Sequence, residues 1–362
     1  MSDIAITGLN VICPVGFTAD HACAAIRAGV SRMAQYEGYF CIPPEGPLAE
    51  VEVDDGPEPV VAARVPLLSD DIGGAERISR LALLSLHGMI SETGFRRQDL
   101  RRTALLLCLP APDEGVSAWN LGPEFVSQLC RRAGVGDWAL VKTIAEGPAG
   151  ALQAMETARP LLAEGRIDFC LLLMADTLVD PERLTILDES WRLRSPRNPD
   201  GLLPGEGGVA ILLENRLAAE RRGATILGLP GRVSTSKEQV TVKAERWSTA
   251  KALCAAIRPL LEGPQGEVGR YTLCNLNGEA YRAHEWGLTQ VCLARELPPE
   301  QALVHPAQAI GDAGVALAGV AVACACMSFV HHYAPAKAAL VWAGSDGGGR
   351  AALVVRPYEG RA

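Results

Sequence analysis

Basic runs are missing from this 362-residue chain, and so is any interleaving of aromatic with basic side chains; aromatics make up only 5% of it. With a formal net charge of −8, that argues against a nucleic-acid surface. The start, MSDIAITGLNVICPVG, has no basic stretch followed by a long apolar one, so no secretory leader is expected there. No segment is of low complexity. Paired cysteines are also lacking: the eleven stand singly in apolar runs, as Cys108 does after Leu105-Leu106-Leu107 and Cys170 between Phe169 and Leu171. Cys324 and Cys326 are the closest pair, and no second ligand pair lies near them. Neither a disulfide frame nor a metal site is therefore expected, and no cofactor is implied. Reduced thiols acting as small buried hydrophobes in a cytoplasmic protein fit better.

What is present is 48% hydrophobic, with 37 Gly and 24 Pro, a globular and turn-rich composition long enough for two packed units. The longest apolar stretch, 309–330, contains Asp312 and few Leu, Ile or Phe, so it reads as a buried helix and not a membrane span. His331 and His332 at its end are read as charge placed favourably on the helix dipole rather than as ligands.

Along the chain, residues 3–7 predict a strand broken by Gly8, Pro14 and Gly16. Thr18 or Asp20 is placed to cap a helix that runs through Ala28, with Gly29 just after it. Residues 36–72 are rich in proline and acid and read as short strands and loops. In 77–90 the residues Ile78, Leu81, Ala82, Leu86 and Met89 recur on one helical face, interrupted by the small Ser85. The run 103–109 reads as a buried strand. A helix is expected over 147–164, kinked or shortened by Pro160, then strands at 167–175 and 208–214. The polar stretch 215–223 is the best boundary, giving halves of 1–215 and 216–362. The second half repeats the order: strand near 224–231, helix 247–262, strand 270–276, helix 309–330, strands 337–343 and 351–355. This alternation implies an α/β architecture.

Five segments, in order, resemble landmarks of the β-ketoacyl synthases, a family of the thiolase fold. They are Ile4-Ala5-Ile6-Thr7-Gly8 with Pro14 and Gly16; Leu203-Pro204-Gly205-Glu206-Gly207-Gly208, similar to a PxGEGA segment; Cys274-Asn275-Leu276-Asn277-Gly278-Glu279, where the family has N-x-H-G-T; Ala307-Gln308-Ala309-Ile310-Gly311-Asp312-Ala313-Gly314, similar to G-H-x-x-G-x-A-G; and the closing Ser345-Asp346-Gly347-Gly348-Gly349. The resemblance implies a layered αβαβα fold of two similar halves stacked around two central helices, and a dimer formed through the first half.

It also implies a reaction centre: a cysteine thioester nucleophile at the start of a central helix, and two histidines that stabilise an enolate oxygen. Here the matching helix start reads Lys142-Thr143-Ile144-Ala145-Glu146-Gly147-Pro148. Anchored on Gly147 the cysteine falls on Ile144, and anchored on Thr143 it falls on Ala145. Cys130 and Cys170 belong to other elements, and Thr143 has no evident base. Glu146 reads as a first-turn carboxylate on the helix dipole. The histidines fall on Asn277 and Gln308, which donate hydrogen bonds but relay no proton at neutral pH. Leu303 stands at the expected lysine; His284 and His305 are too far along the chain to substitute without rearrangement; Asp346 and Gly347 replace the gating phenylalanine. The resemblance thus implies a vestigial pocket of Ile144, Ala145, Glu146, Asn277 and Gln308, partly filled by Ile144 and Leu303, with no catalytic residue.

Two kinds of function follow, beside simple acyl-chain binding without turnover, which needs an unfilled tunnel. One is a non-catalytic homologue in a homo- or heterodimer, either the inactive partner of an active synthase or carrier protein, or an adaptor for a bacterial secretion effector. The other is an enzyme with altered chemistry, transferring or hydrolysing acyl thioesters with Asn277, Gln308 and Glu146. No membrane role is expected.

Overall fold

The computed structural model describes residues 4–41, 59–134, 137–195, 198–244, 246–261 and 268–360. In the first half, strands β1 (Ile4–Ile12), β2 (Met33–Phe40), β3 (Pro59–Ala63), β4 (Thr103–Cys108), β5 (Leu140–Ile144), β6 (Phe169–Thr177) and β7 (Glu206–Asn215) alternate with helices α1 (Ala19–Arg27), α2 (Gly74–Thr93), α3 (Pro123–Arg132), α4 (Gly147–Ala163), α5 (Pro181–Glu189) and α6 (Arg216–Arg221). The second half has β8 (Leu229–Pro230), β9 (Ser234–Lys237), β10 (Tyr271–Cys274), β11 (Ala302–Val304), β12 (Ala339–Gly344) and β13 (Gly349–Arg356), with α7 (Lys251–Ile257), α8 (Ala280–Cys292), α9 (Ala307–Ile310) and α10 (Val315–Val330).

The strand orders expose an internal repeat. The first sheet runs β1-β7-β6-β4-β5, and the second runs β8-β13-β12-β10-β11 with β9 added on β13. Read from the last strand, each sheet has two parallel pairings followed by antiparallel ones. The two halves therefore share one plan, with α4 and α10 in equivalent positions between them. This is the thiolase-like layered α/β fold.

Strand alternation explains why the central strands are apolar throughout. On β4, Ala104, Leu106 and Cys108 face the inner core while Leu105 and Leu107 face the outer one. On β6, Cys170, Leu172 and Met174 point inward, and Leu171, Leu173 and Ala175 point outward. Both faces are covered, the inner by α4 and α10 and the outer by α2. Helix α2 buries the expected stripe of Ile78, Leu81, Ala82, Leu86 and Met89, and Ser85 with them. In α10 every residue from Val315 to Phe329 is buried. Its small side chains let it approach closely: a Cβ on Gly319 would lie 2.6 Å from Met174 Sδ.

Several expected boundaries shift. Gly8 does not end β1, which continues to Ile12 through a register irregularity between Ile6 and Gly8. Thr18 caps α1, its side chain accepting from His21 N, and Gly29 follows in the left-handed region. Pro160 lies inside α4 without shortening it. Residues 140–144 form β5 rather than a helix start, and α4 begins at Gly147. The expected helix 309–330 is two helices, because Gly311 and Gly314 hold left-handed backbone between α9 and α10. The strand near 224–231 shrinks to Leu229–Pro230. Helix 247–262 becomes Lys251–Ile257 plus a 3₁₀ turn to Leu260, with residue 262 outside the described residues, as are 42–58 of the proline-rich stretch. His331, just after α10, pairs with Asp20 at 2.6 Å.

Candidate functional site

Parallel strands end together, and here the ends of β10 and β12 lie beside the start of α4. A cavity of about 590 Å³ opens there. Its wall is an ionic network. The turn after β12 presents Asp346 between two arginines: Arg192 Nη1 donates to its Oδ2 and Arg282 Nη2 to its Oδ1, both at 2.6 Å. Arg192, which follows α5, also donates to both oxygens of Glu279, at 2.6 and 2.9 Å. Arg282 Nη1 donates to the Gly344 carbonyl at 2.8 Å. Burial works against the Asp346 charge, but Arg192 and Arg282 outweigh it and hold this carboxyl far below the usual carboxylate range.

Asn277 is buried behind this wall. Its amide donates to Glu279 Oε2 at 2.8 Å and to Asp312 Oδ2 at 2.6 Å, and its oxygen accepts from Glu279 N. Burial pushes the Asp312 carboxyl up, against the pull of Arg282. The backbone of Asp312 is tied to the first half, since its N–H donates to the Leu203 carbonyl at 2.7 Å and its carbonyl accepts from Gly205 N at 2.9 Å.

The starts of the two central helices are each capped from the opposite half. Ser345 Oγ, on the turn after β12, accepts from Ala149 N at 3.0 Å and donates to the Glu146 carbonyl at 2.7 Å, sealing the start of α4. Asp176, at the end of β6, accepts from Val315 N at 3.0 Å and so caps α10. Its other oxygen takes Arg183 Nη1 at 2.5 Å. Gly147, the first residue of α4, has φ +68°, and a Cβ there would lie 2.6 Å from Glu114 Oε1 and 2.9 Å from Ser345 Oγ. Glu114 is partly buried; burial and then the charge of Asp346 push its carboxyl up to about 8.

These positions do not gather the five residues singled out in the sequence. Ile144 ends β5 against the inner core, and Ala145 packs against the outer one. Ala145 and the exposed Glu146 line an adjoining hollow of about 610 Å³ with Lys237 and Ser345. Gln308 is exposed and lines a third hollow of about 440 Å³ with Tyr271, Leu303 and His305. Asn277 alone joins the network, and the residue beside it is Asp312, not Gln308. His284 is exposed against Trp247, 5.0 Å between ring centroids, and Thr143 is exposed on β5. The cavity lining contains neither cysteine nor histidine. Among the described residues no cluster of three or more His, Cys, Asp or Glu could hold a metal. No helix among the described residues is long and apolar enough to cross a membrane.

Sequence reasoning missed Arg183, Arg192, Arg282, Asp176 and Glu114. One signal was available for Asp176: a carboxylate directly after the apolar run Leu171-Leu172-Leu173-Met174-Ala175 must be buried and so needs a partner.

No family model matches the chain. A polyketide beta-ketoacyl synthase (number 1) of Streptomyces halstedii is 31% identical over 99 residues, a match covering 24% of this chain and 23% of that relative. Two solved structures match almost end to end. A type II polyketide ketosynthase, in complex with its acyl-carrier protein and bound to the hexaketide, superposes with a TM-score of 0.74 at 16% identity, covering 99% of this chain and 100% of that one. The ishigamide ketosynthase/chain length factor gives 0.75 at 16% identity, covering 99% of both. The chain has the fold of these ketosynthases, as the resemblance in its sequence implied.

Proposed function

We propose that this ketosynthase-fold chain is a non-catalytic subunit that works by pairing with another protein, a second chain of the same fold being the partner that fits best. The observation that carries the reading is the cavity wall. Where the fold's reaction centre is expected, the polar groups are spent on each other, and the start of α4 offers a glycine with no room for a side chain. A thioester nucleophile needs a thiol or hydroxyl with a base in reach; Ser345 Oγ at the start of α4 is held in two backbone hydrogen bonds, and Ser190 Oγ in the cavity lining bonds to the Ile186 carbonyl.

Support for pairing comes from β5. It is the last strand of the first sheet, its free edge has no partner strand among the described residues, and Leu140 and Val141 are 39% and 38% exposed on it. An exposed apolar edge is a template for another strand. The solved relatives also include a ketosynthase with its acyl-carrier protein and a ketosynthase/chain length factor.

Native mass spectrometry of the protein incubated with acyl-CoA tests both parts at once. The expected result is a two-chain assembly, lost in Val141→Asp without loss of helix content, and no acyl adduct or hydrolysis. Turnover or a covalent adduct would establish the altered acyltransferase instead. An assembly indifferent to Val141→Asp would remove the pairing surface.

A further inference from the structure

Most of the eleven cysteines are inert by placement. Cys108, Cys274 and Cys326 are fully buried, and burial pushes each thiol up to about 12. Cys23 and Cys324 meet where α1 packs on α10, at 2% and 4% exposure; that contact and then burial push the Cys23 thiol well above its ordinary value. Thiols held protonated away from solvent are poor nucleophiles.

A second pair is placed differently. Cys292, the last residue of α8, is the one exposed cysteine among the described residues. Cys254 lies on α7, which packs against α8, and is 5% exposed in the same apolar cluster as Leu293. The face of α7 that carries Cys254 presents Arg258 one turn later. Arg258 reaches the end of α8: its Nη2 lies 3.5 Å from the Cys292 carbonyl, and its Nε donates to Glu296 Oε1 at 3.3 Å just beyond. The Cys254 thiol itself interacts with the Thr289 hydroxyl and the Cys292 thiol, which stand one turn apart on α8. Burial and then Cys292 push the Cys254 thiol up, against the pull of Thr289 and Arg258. An open thiol thus stands beside a closed, protonated one, with a guanidinium next to both.

We infer that Cys254 and Cys292 form a redox-active pair, in which Cys292 meets the oxidant and Cys254 resolves it into a disulfide. The oxidant class is a hydroperoxide. The Cys292 thiolate attacks its outer oxygen and the O–O bond breaks. Water or an alcohol leaves with the proton that Cys292 has lost, and Cys292 becomes a sulfenic acid. The Cys254 sulfur then attacks that sulfur, and the displaced hydroxide takes the Cys254 proton and leaves as water. Two thiols have given two electrons to the peroxide. The new bond fastens the end of α8 to α7, while the start of α8 carries Arg282, which holds Asp346 in the cavity wall.

The test is peptide mapping of the full, reduced chain after brief exposure to hydrogen peroxide, with remaining thiols alkylated under denaturing conditions before proteolysis. The expected result is a peptide joining Cys254 to Cys292, two of the eleven cysteines closed to alkylation, and both reopened by dithiothreitol. Cys254→Ser should abolish the link and strand Cys292 as a sulfenic acid, raising its labelling by dimedone at least about tenfold. Cys292→Ser should leave Cys254 as slow to oxidise as Cys108. Mapping of the unaltered chain needs no variant to fold, so it decides the matter alone. A link through other cysteines, sulfenic acid at Cys292 without a link, or all eleven thiols still alkylated would overturn the pair.

Discussion

The starts of α4 and α10 occupy equivalent places in the two halves, yet they are capped by different chemistry. At α10 a buried carboxylate, Asp176, meets Val315 N and is itself neutralised by Arg183. At α4 a neutral hydroxyl, Ser345, meets Ala149 N, and the flanking Glu146 is left in solvent. Both starts use a left-handed glycine, Gly314 at φ +51° and Gly147 at φ +68°, whose missing side chain lets the opposite half come close. The charged cap belongs to the fold's internal framework. The neutral cap sits where the fold's chemistry is expected and uses up a first-turn N–H that would favour an anion there. Within the repeated plan one helix start is thus a charged lock and the other a neutral plug.

Substitutions at the caps sharpen this contrast. Asp176→Ala strands the Arg183 guanidinium and uncaps α10; a broken buried pair costs about 3–5 kcal/mol, and urea denaturation should show a loss of that order. Ser345→Ala removes one neutral cap and costs about 1 kcal/mol, read from the same curves. If the two losses were equal, the distinction between lock and plug would fail.

The effect at Glu114 differs in kind and shows as a trend with pH. Its folded carboxyl is raised from 4.5 to about 8, so the folded state favours the proton. That contribution is full below pH 4.5 and is lost as pH rises through 8. Glu114→Gln cannot ionise, so the wild type should lose stability relative to the variant between pH 5 and pH 9, as melting temperatures at both ends would show. A constant difference between the two proteins would mean that Glu114 is ionised and solvated beside α4.

Much of the architecture was legible because it is written in local pattern. The apolar stripe of α2, the Thr18 cap and the run of β4 each declare themselves within a few residues. The start of α4 at Gly147 was legible, but the strand β5 before it was not, because β5 carries exposed, mixed side chains with no alternation to mark it. The site was less legible still. Ser345 and Ala149, or Asp176 and Val315, meet across more than a hundred residues of chain, and nothing local in either partner names the other. Gln308 looked like the partner of Asn277 by motif spacing. The turn between α9 and α10 instead carries the chain round so that Asp312 arrives there and Gln308 faces solvent.

The backbone bonds that tie Asp312 to Leu203 and Gly205 have a consequence for how the protein is made. On the ribosome, residues 203–205 emerge more than a hundred residues before their partner. At about 5–20 residues per second that is an interval of roughly 5–20 s. Throughout it the inner face of the first sheet, with Leu172, Met174 and Val209, has no α10 to cover it. Those seconds are when the nascent chain is most exposed to aggregation. The segment that delivers α10 covers that face, and the turn after β12 then brings Asp346 to the cavity wall.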